Sequence, residues 1–253
     1  MAHMGRKRAR DTSVEVEIST GIARKESIPG EPNSWVLYVN SVPSSSITIG
    51  EPTRLDFPYL RWMATTIDQV FPRGTSVRAV HIGAAGCSLA RRLHATHPRS
   101  RQTAIDIDAL LMDYVREWFD LPRSPALALR VGDGAREIQT FAPKSLDIVV
   151  RDAFAGDATP PALTTDAYFA HTASALKTQG LALFNIAGTP NHARQEIQAI
   201  TSHFAHVYVI NATGRTRGHR ANVVVAASAT PLNTTSLASS LRTGSAPATI
   251  AKA

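Results

Sequence analysis

The chain has 253 residues, 43% of them hydrophobic and 19% charged, which suits one large folded domain or one domain with a small appendage. No apolar run approaches the ~20 residues of a membrane span, no apolar leader stands near the N-terminus, and the single cysteine, Cys87, excludes an internal disulfide and fits a cytoplasmic location. The net charge is +7, from 27 basic and 20 acidic residues, but there is neither an aromatic-interleaved basic patch nor zinc-ligand spacing, so no nucleic-acid partner and no metal are expected.

Arg6, Lys7, Arg8 and Arg10 make residues 1–10 a basic arm, read as a disordered, solvated tail. Residues 11–58 read as a small β unit. Residues 14–18 alternate with the period of a half-buried strand, and residues 35–39 form a second apolar run set off by Pro32-Asn33-Ser34 and Val42-Pro43-Ser44-Ser45. A helix is predicted over 59–70, with Leu60, Met63, Ala64 and Ile67 on one face.

Residues 59–229 then alternate between strand and helix. Strands are expected at 77–82, 102–107, 126–131, 146–151, 181–186, 207–211 and 221–227. This order predicts an α/β fold: a doubly wound, seven-stranded, mostly parallel sheet covered on both faces. The connection 212–220 is too short for a crossover helix, so the last strand is expected to be antiparallel. Residues 230–253 are rich in Ala, Ser and Thr and are read as a disordered tail.

In such sheets ligands bind at the carboxyl ends of the strands. The first parallel strand ends in Gly83-Ala84-Ala85-Gly86, small residues that let the backbone approach a ligand. The second ends in Asp106 and Asp108, the third in Gly132-Asp133-Gly134, and the fourth in Arg151-Asp152. A carboxylate at the end of the second strand can accept the hydroxyls of a ribose, which points to an adenosine-containing ligand. Asp108 is read as the cap of the next helix. For Asp106 and Asp133 the ligand reading is preferred to the capping one. Asp152 precedes a loop rather than a helix, and a carboxylate there can act as general base on an amine or bind a cation. Cys87 has no base beside it in the sequence and is read as a packing residue.

From about Trp35 to Ala227 these strand ends resemble the polyamine aminopropyltransferases, the spermidine synthase family. The family's Gly-Gly-Gly-Asp-Gly turn corresponds to Gly83-Ala84-Ala85-Gly86-Cys87, its Val-Glu-Ile-Asp to Ile105-Asp106-Ile107-Asp108, its Gly-Asp-Gly to Gly132-Asp133-Gly134, and its Asp-Ser-Thr-Asp-Pro loop to the segment starting at Asp152. Leu163-Thr164-Thr165 with Tyr168-Phe169 matches Leu-Phe-Ser-x-x-Phe-Tyr, and Asp56-Phe57-Pro58-Tyr59 matches Glu-Phe-x-Tyr.

The resemblance implies a class I S-adenosylmethionine-dependent transferase fold. It places Gly83, Ala84, Gly86, Asp106, Asp133 and Gly134 around S-adenosylmethionine or its decarboxylated form, bound as a co-substrate with no permanently bound cofactor. Asp152 becomes the catalytic base of aminopropyl transfer to a small amine, with Tyr59 and Asp157 facing the acceptor. It also implies a homodimer. The sequence departs from the family at Gly86, where the turn has an aspartate; at Leu60-Arg61, which replace an acid-containing pair; at Ser44, in place of a glutamine; and in the loop, where Asp157 is the available second acid. These losses weaken a site for polycations and leave methyl transfer from intact S-adenosylmethionine, or a non-catalytic binding role, as the alternatives.

Overall fold

The computed structural model describes residues 13–83, 85–156, 158–213 and 222–253. The basic arm 1–10 lies outside them. An antiparallel meander comes first, with β1 (Ser13–Ile18), β2 (Gly21–Ser27), β3 (Ser34–Val39) and β4 (Val42–Thr48) in that spatial order. Two of these strands were not visible in the sequence. β2 (GIARKES) and β4 (VPSSSIT) are polar and half-covered, and Pro43 is tolerated because β4 is an edge strand.

Helix α1 (Pro58–Val70) follows, with Pro in its first turn and Leu60, Met63, Ala64 and Ile67 buried. Then come β5 (Arg78–Ile82), α2 (Ser88–Thr96), β6 (Arg101–Asp106), α3 (Ala109–Trp118), β7 (Leu127–Val131), the short α4 (Gly134–Glu137) and β8 (Leu146–Arg151). A tight turn at Pro161–Thr164 leads into α5 (Asp166–Ala175), β9 (Leu176–Ile186), α6 (Pro190–Thr201), β10 (His206–Ala212) and β11 (Val223–Ser228). Strands β5, β6, β7, β8 and β9 are mutually parallel, and β11 runs antiparallel between β9 and β10. The mostly parallel α/β sheet and the antiparallel seventh strand are as the pattern predicts.

The expected disordered tail is a correction. Residues 230–253 hold α7 (Thr234–Thr243) and β12 (Ala248–Lys252), and β12 pairs with β10 from Tyr208↔Lys252 to Ala212↔Ala248. The large sheet therefore has eight strands, in the order β12-β10-β11-β9-β8-β5-β6-β7. Few apolar residues are needed here because they fall at the right spacing. Leu237 and Leu241 stand one turn apart and are buried in the core shared with α1, Asn233 caps the helix on Ser236 N, and Trp62 Nε1 donates to Ala246 O at 2.8 Å. Composition alone conceals such an element.

Two cores cover the large sheet. One joins Met63, Ile67, Leu93 and Leu237 to the strand face carrying Ile148, Val150 and Leu183. The other joins Phe169 and Ile200 to the face carrying Val149, Phe184 and Val225. A third core lies between the meander and the second and third helices, where Ile18, Leu37 and Ile47 meet Ala90, Leu111 and Val115. The meander thus covers its apolar face with helices of the large unit. Lys25 stands over two indoles on this seam, 5.7 Å from the Trp35 ring and 5.3 Å from the Trp118 ring. Among the described residues no helix is long and apolar enough to cross a membrane.

Candidate functional site

The carboxyl ends of β5 and β8 meet helix α1 and strand β4 around a narrow pocket of about 60 Å³. Ser44, Ser45, Tyr59, Cys87, Asp152 and Phe154 are among the residues that line it. Asp152 leaves the end of β8 with its backbone N–H on Ile82 O at 2.9 Å. Its carboxylate accepts from Tyr59 Oη at 3.0 Å and from Asn185 Nδ2 at 2.7 Å. Asn185 Oδ1 in turn accepts from Asn222 Nδ2 at 3.0 Å, which fixes the direction of the amide. Burial pushes the Asp152 carboxyl up to about 6, against the opposing pull of Asn185, Tyr59 and the charge of Arg151. Burial and the neighbouring carboxylate raise the Tyr59 phenol well above its ordinary range, so it stays a donor.

The turn after β5 is shaped by close approaches. Gly83 has φ +74°, and a Cβ there would stand 2.4 Å from Ala153 Cα and 2.6 Å from Asp152 O. At Gly86 a Cβ would meet Ile47 Cδ1 at 2.7 Å and Ser45 Cβ at 2.8 Å. Ser45 Oγ accepts the Gly86 N–H at 3.0 Å, so the hydroxyl occupies the space into which a side chain at 86 would grow. Gly134 opens α4 against β5, where a Cβ would lie 2.3 Å from Ile82 Cγ2.

Of the residues singled out in the sequence, Gly83, Tyr59 and Asp152 line this pocket, and Gly86 belongs to the same turn. Asp106, Asp133 and Gly134 stand on the neighbouring strand ends and are not among the pocket's lining residues. Asp106 Oδ1 accepts the Asp108 N–H at 3.1 Å. Asp133 caps α4, accepting from Ala135 N at 2.9 Å, so the capping reading set aside for it does describe one of its bonds. Asp108 caps α3, as read. Ala84 and Asp157 lie outside the described residues.

Three residues named as departures or neighbours turn elsewhere. Asp56 is held by Ser46 Oγ and by Arg54, Arg61 donates to the carbonyls of Leu55 and Ser245, and Arg151 goes into the core rather than the pocket. Tyr168 and Phe169 are also core residues. The sequence reading did not single out Asn185 and Asn222, which the structure chains to Asp152, nor assign Ser45 its contact with the Gly86 turn. Asn185 had a signal, being an amide inside the apolar run of β9 and fully buried. Ile107 follows Asp106 and is 65% exposed, an apolar face beside a polar strand end.

Cys87 bears out its packing role. It is buried, and desolvation together with Asp106 pushes its thiol up to about 12, outweighing Arg116 and Arg91. His81 is buried on Gln102, and burial takes it down to about 4, so it is neutral. Among the described residues no three His, Cys, Asp or Glu stand together as a metal-binding group.

No family model matches the chain. A polyamine aminopropyltransferase of Neisseria meningitidis serogroup A is 29% identical over 142 residues, covering 56% of this chain and 53% of that protein. The chain thus spans about half the length of the curated relatives it matches. The crystal structure of a probable spermidine synthase from Corynebacterium glutamicum superposes with a TM-score of 0.87 at 31% identity, covering 94% of this chain and 90% of the other. Spermidine synthase from Thermotoga maritima (TM-score 0.66, 14% identity, 91% of this chain and 77% of the other) shares the fold. Human methyltransferase-like protein 13 (0.54, 19%, 69% and 80%) shares it too. With sequence and fold matched over nearly the whole length of the Corynebacterium protein, the chain belongs to the polyamine aminopropyltransferase, or spermidine synthase-like, family, as a divergent member with the methyltransferase-type fold.

Proposed function

We propose that the protein is a transferase that binds an adenosyl sulfonium donor and moves its aminopropyl group to a small amine, with Asp152 as general base. The observation that carries this reading is the Asp152 carboxylate in the pocket, tied by Tyr59 and Asn185 and titrating at about 6. A carboxyl with that midpoint is largely ionised near neutral pH and can take a proton. The nitrogen lone pair of the acceptor attacks the methylene carbon beside the sulfonium. The carbon–sulfur bond breaks with its electron pair going to sulfur, which leaves as a neutral thioether, and the proton shed by the new ammonium passes to Asp152. Holding two substrates in line supplies much of the rate.

In the same reading Asp106 accepts the ribose hydroxyls, Asp133 accepts the exocyclic amine of adenine through the oxygen lone pairs its cap leaves over, and the exposed Ile107 offers the ring an apolar face. Gly83, Gly86 and Gly134 let the strand ends pack closely enough to shape the donor site, since protein atoms fill the place of a Cβ at each, and the small Ala84 belongs to the donor side in this reading. Tyr59 and Asp157 serve the acceptor. The protein works as a cytoplasmic homodimer in this reading, which sedimentation of the purified protein tests.

The packing of Ser45 against Gly86 favours a second reading. The turn carries no acid to pair with a cationic tail, and a hydroxyl fills the place. An intact S-adenosylmethionine, whose tail keeps its carboxylate, meets less repulsion there, which would suit methyl transfer. Calorimetric titration with S-adenosylmethionine and with its decarboxylated form decides between them. Tighter binding of the decarboxylated donor supports aminopropyl transfer, tighter binding of the intact donor supports methyl transfer, and binding of neither sinks the adenosyl assignment.

A further inference from the structure

Arg151 immediately precedes Asp152, and its side chain runs to the opposite side of the sheet, toward α5 and α6. It is fully buried and forms an ion pair with the buried Glu196 of α6. Its Nη1 donates to Leu163 O at 2.9 Å and its Nη2 to Asn185 O at 3.2 Å, and the guanidinium lies 5.2 Å from the Phe184 ring centroid. Tyr168 feels both charges, and His192 Nε2 is 3.8 Å from Glu196 Oε2.

An ion pair buried in this way is a poor source of stability, because desolvating two charges offsets their attraction and apolar replacements are often neutral or better. The two carbonyls it holds are more informative. Asn185 is the residue whose amide grips Asp152. Leu163 belongs to the turn that closes the loop leaving β8. A closed circuit results: Arg151 holds the backbone of Asn185, Asn185 holds the carboxylate of Asp152, and Asp152 is bonded to Arg151 through the chain.

We propose that the Arg151–Glu196 pair is a positioning device. It fixes the backbone of Asn185 and the turn at Leu163 relative to the end of β8, and so keeps the Asp152 carboxylate aimed into the pocket. Its catalytic meaning rests on Asp152 acting as the base. Arg151, Glu196 and Asn185 are positioning residues in this scheme, acting through Asp152 on the reaction.

The test reads the carboxylate without any substrate. The full chain is labelled with ¹³C at the aspartate side-chain carboxyls, and the Asp152 resonance is the one lost in Asp152→Asn. Glu196→Asp keeps the charge but draws it back from Arg151, while Glu196→Gln removes the charge. If the pair positions Asn185, the charge-keeping Glu196→Asp slackens the bond to Asp152 and its midpoint rises from about 6 by about 0.5, while Glu196→Gln sets the same slackening against the loss of an anion and falls above the value that charge deletion alone would give. If the pair acts only through packing or charge, Glu196→Asp leaves the midpoint in place and Glu196→Gln, which deletes an anion, lowers it. That outcome overturns the proposal. Glu196→Asp still decides if Glu196→Gln does not fold. Asn185→Ala supplies the control: combined with Glu196→Asp it should shift the midpoint no further than alone, and additive shifts exclude the route through Asn185. Failure of the functional reading would appear separately, as full transfer activity in Asp152→Asn with the midpoint shifts intact.

Discussion

Asp108, just beyond the end of β6, and Asp152, just beyond the end of β8, are the same residue type at the carboxyl end of one sheet. Asp108 is 1% exposed and accepts from Leu111 N, Ser19 N, Thr20 N and Thr20 Oγ1 at 2.6–3.1 Å. Burial opposes its ionisation, but these donors outweigh burial and hold the carboxyl below its ordinary value. Asp152 accepts from Tyr59 and Asn185 and faces a pocket, and there burial prevails and raises it to about 6. The number of donors decides whether a strand-end carboxylate becomes a permanent anion that fastens two segments or a group that can exchange a proton. Asp108 fastens, because three of its four donors come from the β1–β2 turn and the fourth from α3, so one carboxylate both caps the helix and docks the meander.

The sharpest way to break this comparison is to remove each charge in turn. Asp152→Asn should lower the transfer rate about 10²-fold or more, as expected for loss of a positioned base, while binding of the adenosyl donor by calorimetry stays within a few-fold. An unchanged rate removes Asp152 from the chemistry. Asp108→Ala should instead cost about 1–2 kcal/mol of stability in urea unfolding, because it removes the cap on the buried Leu111 N–H and unfastens the exposed Ser19-Thr20 turn from α3. A loss near zero would mean that the meander docks through its apolar face alone.

The pH dependence should separate the two residues further. The folded Asp152 carboxyl, at about 6, lies above an unfolded value of about 3.9, so the folded state holds the extra proton between them. Stability is therefore lost as pH rises through that window. Asp152→Asn should consequently melt higher than the parent near pH 7, by about 1–2 kcal/mol, with the gain vanishing below about pH 4. Asp108 has the opposite sign: its contribution is full above its unfolded value and is lost as pH falls through its depressed folded value. Parallel melts of Asp108→Asn and the parent across acid pH check this, and the two curves should converge at the lowest pH. The smallest effect belongs to the apolar face beside Asp106. Ile107→Ala should weaken donor binding about three- to ten-fold without altering the melt, since the side chain is mostly exposed. Unaltered affinity would remove Ile107 from the donor site.

What the sequence disclosed follows the same physics. The parallel strands are read easily because runs such as LDIVVR are covered on both faces. Likewise Asp152 and Tyr59 could be named from strand order and a short motif. The strands β2 and β4 and the tail escaped because one covered face, or two leucines a turn apart, suffices where a larger unit supplies the rest of the core. Asn185 and Arg151 escaped for another reason. Their importance lies in contacts with residues 33 and 45 positions away, which no local pattern encodes. For Asn185 the available sign was a polar residue within a run of apolar ones, and for Arg151 a cation that closes such a run.

The placement of the three tryptophans makes the molecule its own optical gauge. Trp35 and Trp118 flank Lys25 where the meander meets the third helix, whereas the Trp62 indole is anchored to the carbonyl of Ala246 next to the last strand. Emission from a Trp62→Phe protein reports the first seam, and emission from a Trp35→Phe/Trp118→Phe protein reports the attachment of the C-terminal segment. Denaturation followed through both shows whether the two ends of the chain let go together or in succession.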